Sequence, residues 1–233
     1  MRLSIIIPIH NEERYITKVL EKVLALPLVC EKEIIVVNDG STDNTKKILE
    51  KLSGHFSRNN NFKLIHHPKN LGKGAAVKTG LLAATGNLII IQDADLEYNP
   101  EDIPLLLSRV TENVSAVYGK RSARVWPKMG FHYVLGAKLL TYNINVLYRA
   151  RLADTYTGYK LFNISNLKMG LLKELASSGF EFEAEVTCKI LKAGGKILEV
   201  PIRYMPRGKK EGKHIAIRDG LKGLSMIWRC RFG

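Results

Sequence analysis

In the first hundred residues, short runs of β-branched and other apolar residues alternate with stretches in which apolar positions return every three or four residues. Leu3 to Ile7 reads as a buried strand, and Ile16, Val19, Leu20, Val23 and Leu24 then fall on one face of a helix. The same alternation predicts strands at Glu33 to Val37, Phe62 to Ile65 and Leu88 to Ile91, with helices at Thr42 to Leu52 and Ala75 to Ala84 between them. An order β-α-β-α-β-α-β is that of a parallel sheet with crossover helices. The second half is less regular. Helices are predicted over Pro100 to Val110, Phe131 to Tyr148 and Phe182 to Leu191, and strands over Ala116 to Tyr118 and Lys196 to Tyr204. In the long helix, Leu135, Leu139, Leu140 and Leu147 are expected on one side. With 233 residues, no internal repeat and no low-complexity linker, the chain fits one α/β domain.

Ligands of such sheets bind where the strands end at their carboxyl side. Polar clusters fall at those ends: His10-Asn11-Glu12 after the first strand, Asn38-Asp39-Gly40-Ser41 after the second, and Asp93-Ala94-Asp95 after the fourth. Two carboxylates one residue apart at a strand end can turn toward the same ligand, and Glu97 can join them. Hard oxygen donors suit Mg2+ or Mn2+, which bridge the phosphates of a diphosphate and act as a Lewis acid on a leaving group. The candidate metal set is therefore Asp93, Asp95 and Glu97. Taken alone, the same turn also fits a solvent-exposed cap before Pro100. Lys73 stands in Gly72-Lys73-Gly74 at a helix start, where backbone N–H groups attract anions. The spacing is not that of a Walker A loop, and the glycines also suit a plain tight turn.

Composition narrows the class. Apolar residues make up 45% and charged residues 25%, the balance of a soluble globular protein. The net charge is +14, and it is unevenly spread: residues 1–100 hold 13 Lys and Arg against 11 Asp and Glu, residues 101–233 hold 23 against 11, and residues 201–233 hold nine against two. A local basic surface points to an anionic partner, either the phosphates of a donor or an anionic membrane surface. A nucleic-acid partner is not expected, because acids gather at the strand ends and no recognised nucleic-acid motif appears. Cys30, Cys188 and Cys230 are far apart and form no metal-binding spacing, as expected of reduced thiols in a cytosolic protein. No stretch approaches the roughly 18 apolar residues that span a bilayer.

The segments SIIIPIHNEE, EIIVVNDGSTDNT, NLGKGAAVKTG, GNLIIIQDADLEYNPED, VYGKRS, DTYTGYKLF and GKILEVPIRYMPRGKKEGKH occur in this order. The series resembles the family 2 glycosyltransferases, and within them the dolichyl-phosphate and polyprenyl-phosphate mannosyl- and glucosyltransferases. The resemblance runs from Leu3 to Lys213. It implies a GT-A fold over residues 1–213, that is, a Rossmann-like nucleotide-binding half with a mostly parallel sheet flanked by helices, and an acceptor-side half. It also implies a GDP- or UDP-linked sugar donor, a divalent cation, inversion at the anomeric carbon and a polyprenyl-phosphate acceptor. The expected location is cytoplasmic and peripheral, at the inner face of the cell membrane.

Carried over by position, Pro8, His10 and Glu12 match the loop at the nucleoside, although the family usually has an aromatic residue where His10 stands. Val37 and Asp39 fall in the segment that corresponds to the family's VDDGS motif, with Asn38 replacing its first acid. Asp93, Ala94 and Asp95 match the donor and metal motif, and Lys73 and Arg121 join the donor-binding set. Arg207 and Lys213 match the tail loop that closes over the phosphates, with Gly208 and Gly212 suited to a mobile lid. Asp95, Asp154, Arg207 and Lys213 form the expected catalytic set. A phosphate acceptor is already anionic and needs no base, which makes Asp154 an orienting group. Transfer to a saccharide hydroxyl is the alternative, with Asp154 as base.

Over residues 214–233, Ile217, Leu221, Leu224, Ile227 or Trp228, and Phe232 recur at helical spacing beside Arg218, Lys222, Arg229 and Arg231. A basic amphipathic helix of this kind lies in a membrane interface or docks on the core, and Gly220 and Gly223 weaken it as a helix.

Overall fold

Residues 1–56, 61–167, 169–207 and 217–233 are described by the computed structural model. The first half follows the apolar pattern: β1 (Arg2–Ile9), α1 (Ile16–Ala25), β2 (Glu31–Asp39), α2 (Thr45–Phe56), β3 (Phe62–His67), α3 (Lys73–Ala83) and β4 (Leu88–Ile91). Seven consecutive residues of β1 are buried because helices cover both faces of the sheet, which is why parallel strands read as unbroken apolar runs. The second half adds α4 (Ile103–Leu107), β5 (Ala116–Arg121), α5 (Trp126–Met129), α6 (Phe131–Tyr148), β6 (Lys160–Asn163), α7 (Met169–Lys173), α8 (Phe182–Lys192), β7 (Ile197–Ile202) and α9 (Ile217–Phe232).

The seven strands lie in the order β3-β2-β1-β4-β6-β5-β7. β6 runs antiparallel to both of its neighbours, and the other pairs are parallel. Chain order reverses between β1 and β4, so the crevice of this sheet opens at their carboxyl ends.

Four differences from the sequence pattern bear on function. β2 and β5 run further than expected, so Asp39 and Arg121 are the last residues of strands. β6 is absent from the sequence reading, being four residues long and beginning with a lysine. The helix expected over Pro100 to Val110 is a 3-10 turn at Pro100–Asp102, capped by the Asn99 side chain, followed by the five residues of α4.

In α6, the four leucines do not share a side. Leu140 is buried with Thr141 and Ile144, whereas Leu135 and Leu139 are exposed. Adjacent positions on a helix stand about 100° apart, so Leu139 and Leu140 cannot face the same way. Phe131, Leu135, Leu139, Tyr142 and Val146 instead form one exposed stripe, within roughly 80° of arc.

α9 docks on α6 and α8, with Ile227 fully buried against a cluster that contains Leu140, Ile144, Ala184 and Cys188. Gly223 allows this approach, because a Cβ there would strike the Tyr156 hydroxyl. Arg218, Lys222, Arg229 and Arg231 stay exposed. Among the described residues, no helix is long and apolar enough to cross a membrane.

Candidate active site

At the exit of β1, the backbone turns through Asn11, which adopts φ 55°. Its side-chain oxygen accepts from Thr42 N at 2.8 Å, and its N–H donates to Ser41 Oγ at 3.0 Å. Glu12 N donates to Thr45 Oγ1 at 2.9 Å, which ties this loop to the start of α2. His10 is exposed, with its Nδ1 2.9 Å from the Asp39 carbonyl. Asp39 itself is buried. Its carboxylate accepts from Leu71 N at 2.9 Å and Gly72 N at 2.8 Å, and lies 2.7 Å from His67 Nδ1. Asp39 therefore pins the loop that delivers Lys73. Pro8, Val37 and Ala94 are buried, and Pro8 is paired in register with Val37, so their side chains belong to the core.

At the exit of β4, Gln92 Nε2 donates to the carbonyls of Asp93 and Tyr98 at 3.0 and 3.1 Å, which holds the 93–98 turn closed. Leu96 stands at φ 60°, a conformation that a bulky residue rarely adopts and that clusters at functional sites. The turn sends its three carboxylates to different partners. Asp93 receives Lys73 Nζ at 2.8 and 3.0 Å, and the same ammonium is 3.4 Å from Glu183. Asp95 Oδ2 accepts from Arg207 at 2.9 Å, and Arg207 also makes two 3.0 Å bonds to Glu12. Glu97 accepts from the Tyr204 hydroxyl at 2.6 Å and from Arg207 N at 2.7 Å, so it fixes the segment after β7.

Sequence reasoning expects one ligand set from Asp93, Asp95 and Glu97, and here the three carboxylates are each engaged by a different partner. The left-handed residue between Asp95 and Glu97 breaks the strand alternation, and Glu97 turns to Tyr204. Asp93 and Asp95 remain as a pair of hard oxygen donors, each with a side chain 16% exposed.

The electrostatics fit an incoming cation. Glu12 and Asp95 share the single guanidinium of Arg207, and Glu97 accepts from the backbone N–H of the same residue. Burial pushes Asp95 up to about 7, and the neighbouring charges of Asp93 and Glu97 add to it against the pull of Arg207. Burial also raises Glu12, more than Arg207 lowers it. Burial opposes the charge of Lys73, but Asp93 and Glu183 outweigh it and hold the ammonium well above its ordinary range. Burial thus makes the negative charge of Glu12 and Asp95 costly, and a cation beside them would offset that cost.

Arg121 and Asp154 meet in a two-pronged ion pair, Nε to Oδ2 and Nη2 to Oδ1, both at 2.7 Å. The backbone N–H groups of Ala153 and Asp154 donate to Glu199 at 2.8 Å, and the Tyr204 ring lies 5.3 Å from the Arg121 guanidinium carbon. A narrow cleft beside this pair is lined by Trp126, Val134, Lys138 and Thr141. Lys213, with Gly208 and Gly212, lies outside the described residues.

Sequence reasoning passed over Glu183, Lys160, Gly158 and Tyr98. The Tyr98 hydroxyl accepts from Gly158 N at 2.9 Å. A Cβ on Gly158 would come within 2.5 Å of Asp93 Oδ2 and 3.0 Å of Lys73 Nζ, so this glycine lets the backbone close over the pair. Glu183 stands in FEFEAE, where three acids alternate with apolar residues and nothing singles it out. A larger open depression, lined by Met1, Arg2, Val29, Glu31, Thr85 and Asn87, lies at the amino ends of β1 and β2, away from these groups.

The family model for Glycosyl transferase family 2 matches residues 4–171. A dolichyl-phosphate beta-glucosyltransferase of Trichomonas vaginalis is 28% identical over 218 residues, covering 87% of this chain and 65% of that protein. An uncharacterised protein of Methanocaldococcus jannaschii is 32% identical over 210 residues, covering 85% of this chain and 87% of that protein. An undecaprenyl-phosphate 4-deoxy-4-formamido-L-arabinose transferase of Proteus mirabilis is 35% identical over 125 residues, covering 53% and 38%. The chain thus spans less than two thirds of the first and third of these relatives. Among solved structures, glucosyl-3-phosphoglycerate synthase from Mycobacterium tuberculosis in complex with Mn2+, uridine diphosphate and phosphoglyceric acid matches with a TM-score of 0.73 at 18% identity, covering 99% of this chain and 78% of that one. At that identity the likeness concerns the fold alone. The chain belongs to glycosyl transferase family 2, has the GT-A fold, and within the family resembles the dolichyl- and polyprenyl-phosphate transferases.

Proposed function

We propose that this glycosyltransferase moves a sugar, with inversion, from a GDP- or UDP-linked donor to a polyprenyl phosphate. The observation that carries the reading is the outer charge cluster, in which Glu12 and Asp95 share one guanidinium and Glu97 holds the backbone N–H of the same arginine, at the carboxyl edge of β1 and β4. Asp93 and Asp95 would hold Mg2+ or Mn2+, and the ion supplies Lewis-acid stabilisation of the departing diphosphate when bound. The neighbouring fold bound to Mn2+ and uridine diphosphate supports this choice of ligands.

The acceptor phosphate oxygen attacks the anomeric carbon from the side opposite the diphosphate. As the new bond forms, the bond from that carbon to the diphosphate oxygen breaks, and its electron pair leaves with the diphosphate. Lys73 and Arg207, with Lys213 from the tail, meet the charge that develops there. To do so, Arg207 would give up its bonds to Glu12 or Asp95. Asp154 orients and does not act as a base, because Arg121 occupies both of its oxygens. That pairing disfavours a hydroxyl acceptor, and the relatives named for dolichyl and undecaprenyl phosphate support a lipid phosphate.

We place residues 1–207 and Lys213 in the catalytic unit and α9 in a basic surface, with the protein peripheral on an anionic bilayer at the cytoplasmic face. Support comes from the exposed apolar stripe of α6 and from the segment Lys120 to Ala153, which carries seven Lys and Arg and no Asp or Glu. The test offers labelled UDP- and GDP-sugars with Mn2+ to a short polyprenyl phosphate and to oligosaccharides. Label is expected in the lipid phosphate, with the anomeric configuration opposite to the donor's. Label in the oligosaccharide instead contradicts the acceptor assignment.

A further inference from the structure

Beneath Asp93 and Lys73 lie two charges, Glu183 and Lys160, that the reaction above does not use. The Lys73 ammonium, within 3.0 Å of both Asp93 oxygens, also reaches Glu183 Oε1 at 3.4 Å. Glu183 stands in the first turn of α8 and is only 4% exposed. Its other oxygen pairs with Lys160, whose side chain is entirely buried. Lys160 spends its remaining donors on the carbonyls of Thr155, at 3.1 Å, and Thr157, and its Nζ sits 4.7 Å from the Tyr118 ring centre. Asp93, Lys73, Glu183 and Lys160 therefore alternate in sign and sum to zero. A buried ion pair is seldom more stable than apolar residues of the same size. Stability alone thus gives no reason for Glu183 and Lys160 to be charged.

Their effect on Lys73 does give a reason. When a divalent cation takes Asp93, the ammonium loses its nearer partner. With no second partner, it either stays on Asp93 and opposes the cation or swings into solvent. Glu183 offers a nearly buried counter-charge to the same ammonium, and Gly158 packs over Asp93 and Lys73, where a Cβ would meet both. The start of α3 is held in the same place, with Ala75 N donating to Ser178 O at 3.1 Å. An ammonium retained there still has hydrogens to point at a phosphate.

We propose that Glu183, braced by Lys160, is a positioning residue for the donor diphosphate: it keeps the Lys73 ammonium in place once Asp93 is given to the cation. This rests on reading the edge as a diphosphate site.

Two measurements test it. In the wild-type chain, the Lys73 Nζ resonance, assigned by its loss in Lys73→Arg, is expected to stay slow in exchange with water after Mg2+ and UDP or GDP are added. The double variant Glu183→Gln/Lys160→Met removes both charges together and leaves the core neutral. Its Mn2+ affinity by calorimetry is expected to fall about tenfold, as for other residues that orient metal ligands. Donor KM is expected to rise while kcat changes less than about twofold, the pattern of lost ground-state binding. A resonance lost to exchange on ligand addition overturns the proposal, as does a folded double variant with wild-type Mn2+ affinity and KM. The wild-type resonance decides the matter where the variant does not fold. Failure of the wild-type chain to bind either diphosphate with Mg2+ or Mn2+ overturns the donor site as well, which separates the two readings.

Discussion

Two clusters of charge meet at the carboxyl edge of the sheet, and they are built differently. The inner one, Asp93-Lys73-Glu183-Lys160, alternates in sign, sums to zero and has Lys160 wholly inside the protein. The outer one sets Glu12 and Asp95 on the one guanidinium of Arg207, with Glu97 on the backbone N–H of the same residue, and sits at the mouth. A neutral chain of ions is a scaffold that stays as it is. Two carboxylates on one guanidinium suit a receptor, and burial, with the charges of Asp93 and Glu97, holds the Asp95 carboxyl up. On the proposed reading, the inner cluster places an ammonium, and the outer one would accept an ion and release a guanidinium.

The comparison breaks most sharply at Asp95. Asp95→Ala is expected to abolish transfer, a loss of about 1,000-fold or more, while the circular dichroism spectrum and cooperative melting are retained. Retained turnover with Mg2+ or Mn2+ in a donor-consumption assay contradicts the assignment. Arg207→Ala ranks next, with kcat lowered about 100-fold, and the Glu12 carboxylate left without its partner. An unchanged kcat places Arg207 in the structural set alone.

The smallest effect sharpens the contrast through pH. Asp95 titrates at about 7 in the folded chain against a usual 3.8, so its contribution to stability is fully present below pH 4 and is lost as pH rises through 7. Asp95→Asn removes that loss. In a chelator, the variant is expected to melt above the wild type at pH 8.5 by roughly 3 °C, or about 1 kcal/mol, with the gap closing toward pH 5. A gap that is constant with pH contradicts a raised Asp95.

How much of this was legible in the sequence follows from what sequence patterns encode. β1, β2, β3 and β4 were readable because strands buried on both faces leave apolar runs, and the polar loops after them were readable because the runs stop. β6 was not, since four residues starting with Lys160 carry no pattern of their own. The residues of the turn after β4 were legible, but their partners were not. Glu12 meets Arg207 across 195 positions, and Lys73 meets Glu183 across 110, distances over which only the folded sheet brings side chains together. Glu97 illustrates the limit: its spacing suggests a third metal ligand, and nothing in that spacing announces the left-handed Leu96 beside it or its bond to Tyr204. In α6, leucine spacing suggested one face, whereas the buried and exposed leucines lie on two.

The most direct test of the central claim is a calorimetric titration of the chain with UDP and with GDP, in Mn2+ and in chelator. At least one diphosphate is expected to bind with Mn2+ and to lose that binding both in chelator and in Asp95→Ala. Equal binding with and without the ion, or in the variant, contradicts a cation held at Asp93 and Asp95.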